Sequence, residues 1–200
     1  MTDPKVRIIT AAIKVISREG LVGTSTRKIA AEAEVNLAML HYYFGSKDDL
    51  LGAVHETIIA TIRERILARN VIQPGDDFCS AVAKDLMTFW QYVEEVPEAQ
   101  IAQYDLALYA FRDPQSAERS RQQFEMYCLL VEERCREIAE IMHRPCSIPY
   151  PDLARFIIAG LDGLTLQFLT DRDKARARRN LQYLISAIFA LVDGYHPQTS

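Results

Sequence analysis

The chain has 200 residues, of which 49% are apolar and 25% are charged, and its formal net charge is −4. This composition is that of an ordinary soluble globular protein, and the acidic balance excludes a protein coated with basic surface. No apolar run reaches the roughly 18 residues of a membrane span, and the N-terminus lacks the segments of a secretory signal, so we expect a cytoplasmic protein without membrane contact.

Charge is unevenly distributed along the chain. Residues 1–50 have a net charge of +1, whereas the remainder has a net charge of −5. Any contact with nucleic acid is therefore expected within residues 1–50, here called the head. The cysteines lie far apart without a Cys-x-x-Cys pair, so we predict buried thiols and not a disulfide framework for Cys79, Cys128, Cys135 and Cys146.

The chain is predicted to be helical throughout, because no segment alternates apolar and polar residues as a half-buried strand does. Asp3 is expected to cap the first helix, with Pro4 in its first turn, and Gly20 is expected to end it. The buried stripe of this helix is predicted to consist of Val6, Ile9, Ile13 and Ile16.

Two short helices and one long helix are predicted next. Thr24 or Ser25 can cap the second helix, and Asn36 can cap the third. A turn at Glu34 and Val35 separates these two helices.

The fourth helix is predicted to begin at a cap formed by Ser46, with Asp49 completing a capping box. It has no breaker before about Asn70, so it would span roughly 36 Å and link the head to the rest of the chain. After Gln73-Pro74-Gly75, further helices are predicted at about residues 76–95, 98–111, 114–143, 151–170 and 173–194.

The third helix has an aromatic and apolar outer face. Leu40 and Phe44 lie four residues apart and are expected to pack inward. Tyrosines and a methionine exposed together are poor choices for a solvated surface, whereas apolar groups can contact thymine methyls and tyrosine hydroxyls can bond phosphates. The residues expected to face outward are Leu37, Ala38, Met39, Tyr42 and Tyr43.

If the third helix lies in the major groove of DNA, the polar residues around this face can contact bases and phosphates. Arg27 is the candidate for a bidentate contact with guanine, and His41 either reaches a phosphate or packs at the edge. Thr24, Ser25 and Lys47 sit at helix starts, where phosphate binding is favoured. The complete predicted DNA-binding set is Thr24, Ser25, Arg27, Asn36, Leu37, Ala38, Met39, His41, Tyr42, Tyr43 and Lys47.

A specific residue pattern covers residues 7–54. It consists of Ala11-Ala12 with Gly20, Thr24-Ser25-x-Arg27-x-Ile29-Ala30-x-x-Ala33-x-Val35, Leu40, Phe44, Ser46-Lys47 and Leu50-Leu51. This pattern resembles the DNA-binding head of the tetracycline-repressor (TetR/AcrR) family of bacterial regulators. The resemblance implies an all-α fold of about nine helices, with a helix-turn-helix DNA-binding domain at 1–50 and a ligand-binding and dimerisation domain at 51–200.

The resemblance also assigns roles within the head. It implies that Arg27 reads a base, that Leu37–Met39 and Tyr42 face the groove, and that Tyr43 and Lys47 meet phosphates. The chain departs from the family pattern at Glu34, where glycine is usual, so we expect a tighter or differently shaped turn there. His41 and Tyr43 also replace the usual tyrosine and histidine.

The resemblance implies a cavity among the fifth to eighth helices for a small, mostly apolar ligand. Aromatic residues are frequent in this part of the chain, and the alternative is that their rings simply fill the core. An apolar ring with a polar tip can orient a ligand. The candidate ligand-binding residues are Phe89, Trp90, Tyr104, Tyr109, Phe124, Tyr127 and Phe168.

The last two helices carry broad apolar faces, one of them with small residues at its centre. These faces fit the dimer interface that the resemblance implies, and the alternative is packing within one chain. The predicted interface residues are Phe156, Gly160, Gly163, Leu164, Leu181, Leu184, Ile185 and Ile188. The basic run Arg172–Arg179 is interpreted as a solvated charged face and not as a nucleic-acid site.

No catalytic, metal or cofactor site is predicted. The chain lacks the short motifs of zinc peptidases, phosphate loops, serine hydrolases and dinucleotide-binding folds, and one Glu140-x-x-His143 pair is too few for a di-iron site. We therefore predict a dimeric, ligand-responsive repressor whose partners are a pseudo-palindromic double-stranded operator and a small effector that releases it. The alternative is a helical protein-interaction adaptor without DNA binding.

Overall fold

The computed structural model describes residues 3–70, 76–112, 114–143 and 146–194, and for some residues between 110 and 123 it describes the backbone alone. In these ranges the chain forms nine α-helices and no strand, which confirms the predicted all-α fold. The helices are α1 (Pro4–Gly23), α2 (Thr26–Glu32), α3 (Leu37–Tyr43), α4 (Lys47–Arg69), α5 (Phe78–Glu95), α6 (Pro97–Arg112), α7 (Pro114–Ile141), α8 (Tyr150–Asp171) and α9 (Lys174–Val192).

The chain divides into two compact units. The first unit consists of Met1–Glu64 with Glu95–Ser120, and the second consists of Arg65–Glu94 with Arg121–Ser200. Helix α4 therefore begins in the first unit and ends in the second. The domain boundary expected between residues 50 and 51 stays a prediction.

Helix α1 is interrupted where the sequence predicts its end. Asp3 accepts a hydrogen bond from the Lys5 amide (2.9 Å), as expected of its cap. Gly20 has φ +72° and ψ 161°, a conformation open to glycine, and helical geometry resumes after it for three residues. Val6 is exposed, so its assignment to the buried stripe is wrong. Val6 and the fully buried Ala12 are about 1.7 helical turns apart, so the two side chains lie on different sides of α1.

Helix α6 packs against α1 within the first unit. Ile16, Leu21 and Ala102 form a small buried cluster, which Leu51 and other apolar side chains flank. Beside it, the amide of Leu21, freed by the break at Gly20, donates to the Asp105 carboxylate of α6. The sequence contains no local signal for this contact between residues 84 positions apart.

The core of the second unit is formed by α5, α8 and α9 with the C-terminal half of α7. The side chain of Glu94, at the end of α5, is almost fully buried and accepts from Trp90 Nε1 (3.0 Å) and from Arg178 Nε (2.8 Å). Lys174 lies 3.8 Å from the same carboxylate. Part of the basic run Arg172–Arg179 thus pairs with acidic groups of its own unit.

The C-terminal end of α4 is held by a buried polar network in the second unit. Asn70 Nδ2 donates to Asp85 Oδ1 (2.9 Å) and to Thr88 Oγ1 (3.0 Å). Arg134 of α7 donates to Asp85 Oδ2 (2.8 Å) and to the Asn70 carbonyl (3.0 Å). Burial raises the pKa of Asp85, and the Arg134 guanidinium opposes that shift.

Helix α8 is long and apolar enough to cross a bilayer by length and composition alone. Its buried residues, however, recur on one face: Leu153, Ile157, Leu161 and Phe168 belong to the core of the second unit. This is the pattern of a core helix in a globular protein.

The four cysteines are free thiols in the structure. Cys128 and Cys135 are buried, and Cys79 and Cys146 are half-buried. Burial raises the pKa of Cys135 to about 12, so this thiol is protonated and unreactive at neutral pH.

Candidate nucleic-acid interface

Helices α2 and α3 form a helix-turn-helix pair whose starts are capped by side chains. Ser25 Oγ accepts from the Lys28 amide (3.3 Å), so Ser25 and not Thr24 caps α2. Asn36 Oδ1 accepts from the Met39 amide (2.7 Å), as the sequence predicts. Each cap satisfies an amide that the helix itself leaves without an acceptor.

The turn between α2 and α3 keeps the glycine-type conformation although it contains glutamate. Glu34 has φ +53°. The Val35 amide donates to the Ala30 carbonyl (3.0 Å) and the Glu34 amide to the Ala31 carbonyl (3.1 Å), which is the hydrogen-bond pattern of a Schellman motif. The expectation of a differently shaped turn is therefore wrong, because the backbone adopts the left-handed conformation despite the Cβ atom.

Arg7 of α1 braces this turn. Its Nη2 donates to the Ala33 carbonyl (2.5 Å) and the Glu34 carbonyl (3.1 Å), and it lies 3.6 Å from Glu34 Oε2. These bonds occupy carbonyls left at the end of α2. Sequence reasoning missed Arg7, because 26 residues separate it from Ala33 and no local pattern marks the pair.

The inner face of α3 packs as predicted. Leu40 and Phe44 are buried, and so is Ile29 of α2. Ile13 of α1 and Val35 of the turn are half-buried. With this face turned inward, the opposite side of α3 is left at the surface.

The outer face of α3 is an exposed apolar and aromatic surface. Tyr42 is 84% exposed and Met39 is 37% exposed, and Ala38 and His41 are also exposed, whereas Leu37 is half-buried. The rings of Tyr42 and Tyr43 meet edge to face, with their centroids 5.3 Å apart. We call Ala38, Met39 and Tyr42 the α3 outer face.

Arg27 is available to a ligand on the neighbouring helix. It is exposed in the first turn of α2 and, among the residues that the structure describes, has neither an ion pair nor a hydrogen bond. The adjacent Lys28 is engaged, since its Nζ donates to Glu19 (2.5 Å) and to the Gly23 carbonyl (2.9 Å).

Thr24 is placed differently from its predicted role. It is buried, and its hydroxyl donates to the Gly20 carbonyl (2.7 Å). It closes the break in α1, so its side chain is not presented to a phosphate. The predicted phosphate contact of the Thr24 side chain is therefore wrong.

Lys47 braces the start of α4 against the joint between α1 and α2. Its Nζ donates to the Thr24 carbonyl (2.8 Å) and lies 3.5 Å from the Leu21 carbonyl. An ammonium has three donors, so one stays available. Next to it, Ser46 caps α4 as predicted, since the Asp49 amide donates to Ser46 Oγ (3.1 Å). Asp49 Oδ2 accepts from the Ser46 hydroxyl (2.7 Å) and not from its backbone amide, so the reciprocal bond of a capping box is replaced by a bond between the two side chains.

Several basic side chains of the head are neutralised by acidic neighbours. Arg18 bonds both Glu19 (3.0 Å) and Glu32 (3.2 Å), and Lys28 bonds Glu19 as well. The bonds from Lys28 and Arg18 lower the pKa of Glu19, which therefore stays ionised at neutral pH. The cationic surface of the head is thus smaller than its count of Lys and Arg indicates.

The candidate ligand-binding residues are divided between the two units. Tyr104 and Tyr109 belong to the first unit and the other five to the second. Trp90 and Phe168 are buried with ring centroids 5.7 Å apart, so these two rings fill the core, as the alternative interpretation states. Phe124 and Tyr109 are exposed, and Phe89, Tyr104 and Tyr127 are half-buried.

Much of the predicted dimer face is core of the same chain. Leu181, Ile185 and Ile188 are buried in the second unit, and a Cβ atom at Gly160 would lie 2.5 Å from Leu184 Cδ1 of α9. These residues pack α8 and α9 of one chain together, and the assignment of the three buried ones to a dimer surface is wrong.

A different stripe of α8 and α9 is exposed. It includes Phe156 and Gly163 from the prediction, whereas Leu164 is half-buried against the core. A Cβ atom at Gly163 would meet nothing within 4 Å. We call this stripe the α8–α9 outer face: Phe156, Ala159, Gly163, Leu166, Thr170, Tyr183, Ala187 and Ala190.

No group of three or more His, Cys, Asp or Glu within the described ranges is placed to hold a metal ion.

Two family models together match most of the chain. Residues 8–54 match the bacterial regulatory proteins of the tetR family, and residues 76–191 match the tetracyclin repressor-like C-terminal domain. The chain is also 26% identical over 185 residues to the HTH-type nicotine-responsive transcriptional repressor HdnoR of Paenarthrobacter nicotinovorans, with 92% of this chain and 93% of that protein covered.

Solved structures share the fold. A putative TetR-family transcriptional regulator from Rhodococcus sp. superposes with a TM-score of 0.77 at 19% identity, over 96% of this chain and 100% of that one. The multidrug binding protein EbrR complexed with imidazole superposes with a TM-score of 0.62 at 26% identity, over 100% of this chain and 99% of that one.

Proposed function

The chain belongs to the tetR family of bacterial regulatory proteins, and on this premise we propose that it is a dimeric repressor that binds a pseudo-palindromic operator and is released by a small effector. The observation that carries the proposal is the α3 outer face, an exposed apolar and aromatic surface on the second helix of a helix-turn-helix pair. The protein acts in the cytoplasm and has no catalytic role.

The contacts with DNA divide into base contacts and phosphate contacts. The α3 outer face with Leu37 meets base edges in the major groove, and Arg27 meets a guanine. Ser25, Tyr43 and Lys47 meet phosphates, and His41 lies at the edge of the groove. The availability of Arg27 and the third donor of Lys47 support these roles.

The dimer forms through the α8–α9 outer face. Small residues along it, above all Gly163, allow a helix of a second chain to approach closely. A two-fold dimer places two α3 helices about one turn of DNA apart, which matches a palindromic site.

The effector acts by binding one arrangement of the heads more tightly than the other. The relative HdnoR is named for its response to nicotine, which makes nicotine the first molecule to test here. A small, mostly apolar molecule is expected, and α4, which belongs to both units, carries the change towards the head.

A DNA-binding titration tests the proposal. Fragments of the protein's own promoter region are titrated with the chain and followed by gel shift, with and without nicotine. A sequence-dependent, salt-sensitive shift supports a regulator, and its loss with nicotine supports release by that effector. A chain that shifts no fragment under any salt condition is an interaction adaptor and not a repressor.

The interface is tested with a matched pair of variants. Leu166→Glu changes a leucine that is 52% exposed in the α8–α9 outer face, and Leu129→Glu changes one that is 51% exposed on α7. Sedimentation is expected to show monomers for Leu166→Glu and dimers for Leu129→Glu. Dimers in both variants would place the interface elsewhere.

A further inference from the structure

We infer that α3 recognises thymine methyl groups, so that each operator half-site carries thymines opposite Ala38, Met39 and Tyr42. This inference rests on the proposed function and specifies the kind of base that the α3 outer face selects. It follows from the side chains that the helix presents, from those it lacks and from the hydrogen bonds that occupy its neighbours.

Helix α3 lacks the side chains that recognise the polar edges of bases. Its sequence, Leu37–Tyr43, contains no Arg, Lys, Asn, Gln, Asp or Glu. Guanine and adenine are recognised in the major groove mainly by bidentate contacts from Arg or Lys and from Asn or Gln, and cytosine mainly by carboxylates. None of these contacts can come from α3 itself.

The polar residue that precedes α3 is already engaged. Asn36 Oδ1 accepts from the Met39 amide at 2.7 Å. A bidentate contact with adenine needs both the oxygen and the nitrogen of the amide group. The cap fixes the amide group of Asn36 against the first turn of α3, so we assign Asn36 to capping and not to a bidentate contact with adenine.

The α3 outer face is a continuous apolar patch. Ala38 and Tyr42 lie four residues apart and Met39 and Tyr42 three, so the three side chains share one side of the helix. The opposite side, with Leu40 and Phe44, is buried. The C5-methyl of thymine is the one apolar group that the four bases display in the major groove.

Neighbouring cations do not replace this recognition. Lys28 is held by Glu19 and Gly23, and Lys47 donates to the carbonyl of Thr24. Of the two cations of α2, Lys28 is thus engaged and Arg27 is available for a base. The half-site is therefore expected to combine a guanine opposite Arg27 with thymines opposite the α3 outer face.

The test begins with a random-sequence duplex library, from which the full-length protein selects its sites. In the selected site, each thymine is replaced in turn by uracil, which removes only the C5-methyl group. Burial of one methyl group contributes about 0.8 kcal/mol, so each uracil opposite α3 is expected to weaken binding about fourfold. Fluorescence anisotropy measures the dissociation constants.

A substitution cycle assigns the methyl contact to a side chain. Met39→Ala is expected to abolish the uracil penalty at one thymine of each half-site. Met87→Ala is the matched control, since Met87 is also exposed but lies on α5, and it is expected to leave every penalty unchanged. Melting temperatures confirm that both variants are folded.

The possible failures are distinct. If a site is selected and no uracil weakens binding, or if Met39→Ala leaves every penalty in place, the thymine inference is overturned and the proposed function stands. If no sequence is enriched and the protein binds no duplex, the proposed function is overturned together with the inference.

Discussion

Glu34 keeps a glycine-type conformation at the turn of the helix-turn-helix pair, held by hydrogen bonds from Arg7 to nearby carbonyls. The ion pair between the two side chains is exposed and contributes at most about 1 kcal/mol. The Cβ atom is the main source of strain, because left-handed geometry costs about 1–2 kcal/mol in residues other than glycine.

We expect Glu34→Gly to be about 1 kcal/mol more stable than Glu34→Ala, measured by urea denaturation. Alanine removes the carboxylate but keeps the Cβ atom, so the comparison isolates backbone strain from the ion pair. Equal stability of the two variants would mean that the turn carries no strain at Glu34.

His55 links the stability of the protein to pH. It is buried in α4, and burial lowers its pKa from 6.5 to about 4. A group whose pKa is lowered by folding binds a proton more readily in the unfolded chain. The contribution of His55 to folding stability is therefore fully present above pH 6.5, and it is lost as the pH falls towards 4.

The expected loss from His55 is at most about 3 kcal/mol, from about 1.4 kcal/mol per pKa unit. Because carboxylates also titrate in this range, the measurement is the difference in unfolding free energy between the wild type and His55→Gln at pH 7 and pH 4.5. A difference that does not change with pH would show that the histidine is solvated in the folded protein.

At the scale of helices, the close approach of α8 and α9 depends on Gly160. A methyl group there would lie 2.5 Å from Leu184 Cδ1, whereas one at Gly163 would meet nothing within 4 Å. Both glycines lie in the interior of α8, so alanine raises helix propensity equally at either position.

Gly160→Ala is therefore expected to be about 1–3 kcal/mol less stable than Gly163→Ala, measured in the monomeric Leu166→Glu background. The background removes the effect of Gly163 on dimerisation. If the two variants have the same free energy of unfolding, the Leu184 side chain accommodates the added methyl group by a change of rotamer, and the contact between the helices is not tight.

Helix periodicity explains why the dimer face was partly mispredicted. Helices α8 and α9 have apolar residues on more than one side, and the pattern alone does not show which side faces the core of the same chain. Leu181, Ile185 and Ile188 form the most regular stripe and are buried, while the exposed stripe contains small residues and Tyr183.

Helix caps are predicted more reliably from sequence, because a cap involves residues within one turn. The caps formed by Asp3, Ser25, Asn36 and Ser46 are all among those predicted.

For the whole molecule, net charge is a poor guide to DNA binding. The protein is acidic, and within the described part of its head Arg7, Arg18 and Lys28 are paired with carboxylates. Each phosphate that a protein neutralises contributes about −0.9 to the slope of log K against log salt. Lys5, Lys14, Arg27 and Lys47 remain in each head, and of these Lys47 is the cation assigned to a phosphate.

For the dimer on its operator, we expect the slope of log K against log salt to lie between about −2 and −4. This is shallower than the slope expected of a protein that makes roughly 6–10 phosphate contacts. Glu19→Gln removes the carboxylate that pairs with Lys28, whereas Arg18 keeps its ion pair with Glu32. If the released Lys28 reaches a phosphate, the slope of log K against log salt is expected to steepen by about one unit per head. Anisotropy titrations from 50 to 300 mM salt measure both slopes. A wild-type slope steeper than about −6 would show that the ion pairs open on DNA.

The sequence by itself determined the all-α fold, the helix caps, the break at Gly20 and the family, because these depend on residues close together in the chain or on a local pattern. Tertiary structure alone decided that Thr24 is buried, that Lys47 and Arg7 brace the head, and which sides of α8 and α9 meet each other. The physical reason is that burial and long-range hydrogen bonds depend on residues tens of positions apart. Several apolar faces of similar strength compete for the core, and only their packing together shows which one is buried.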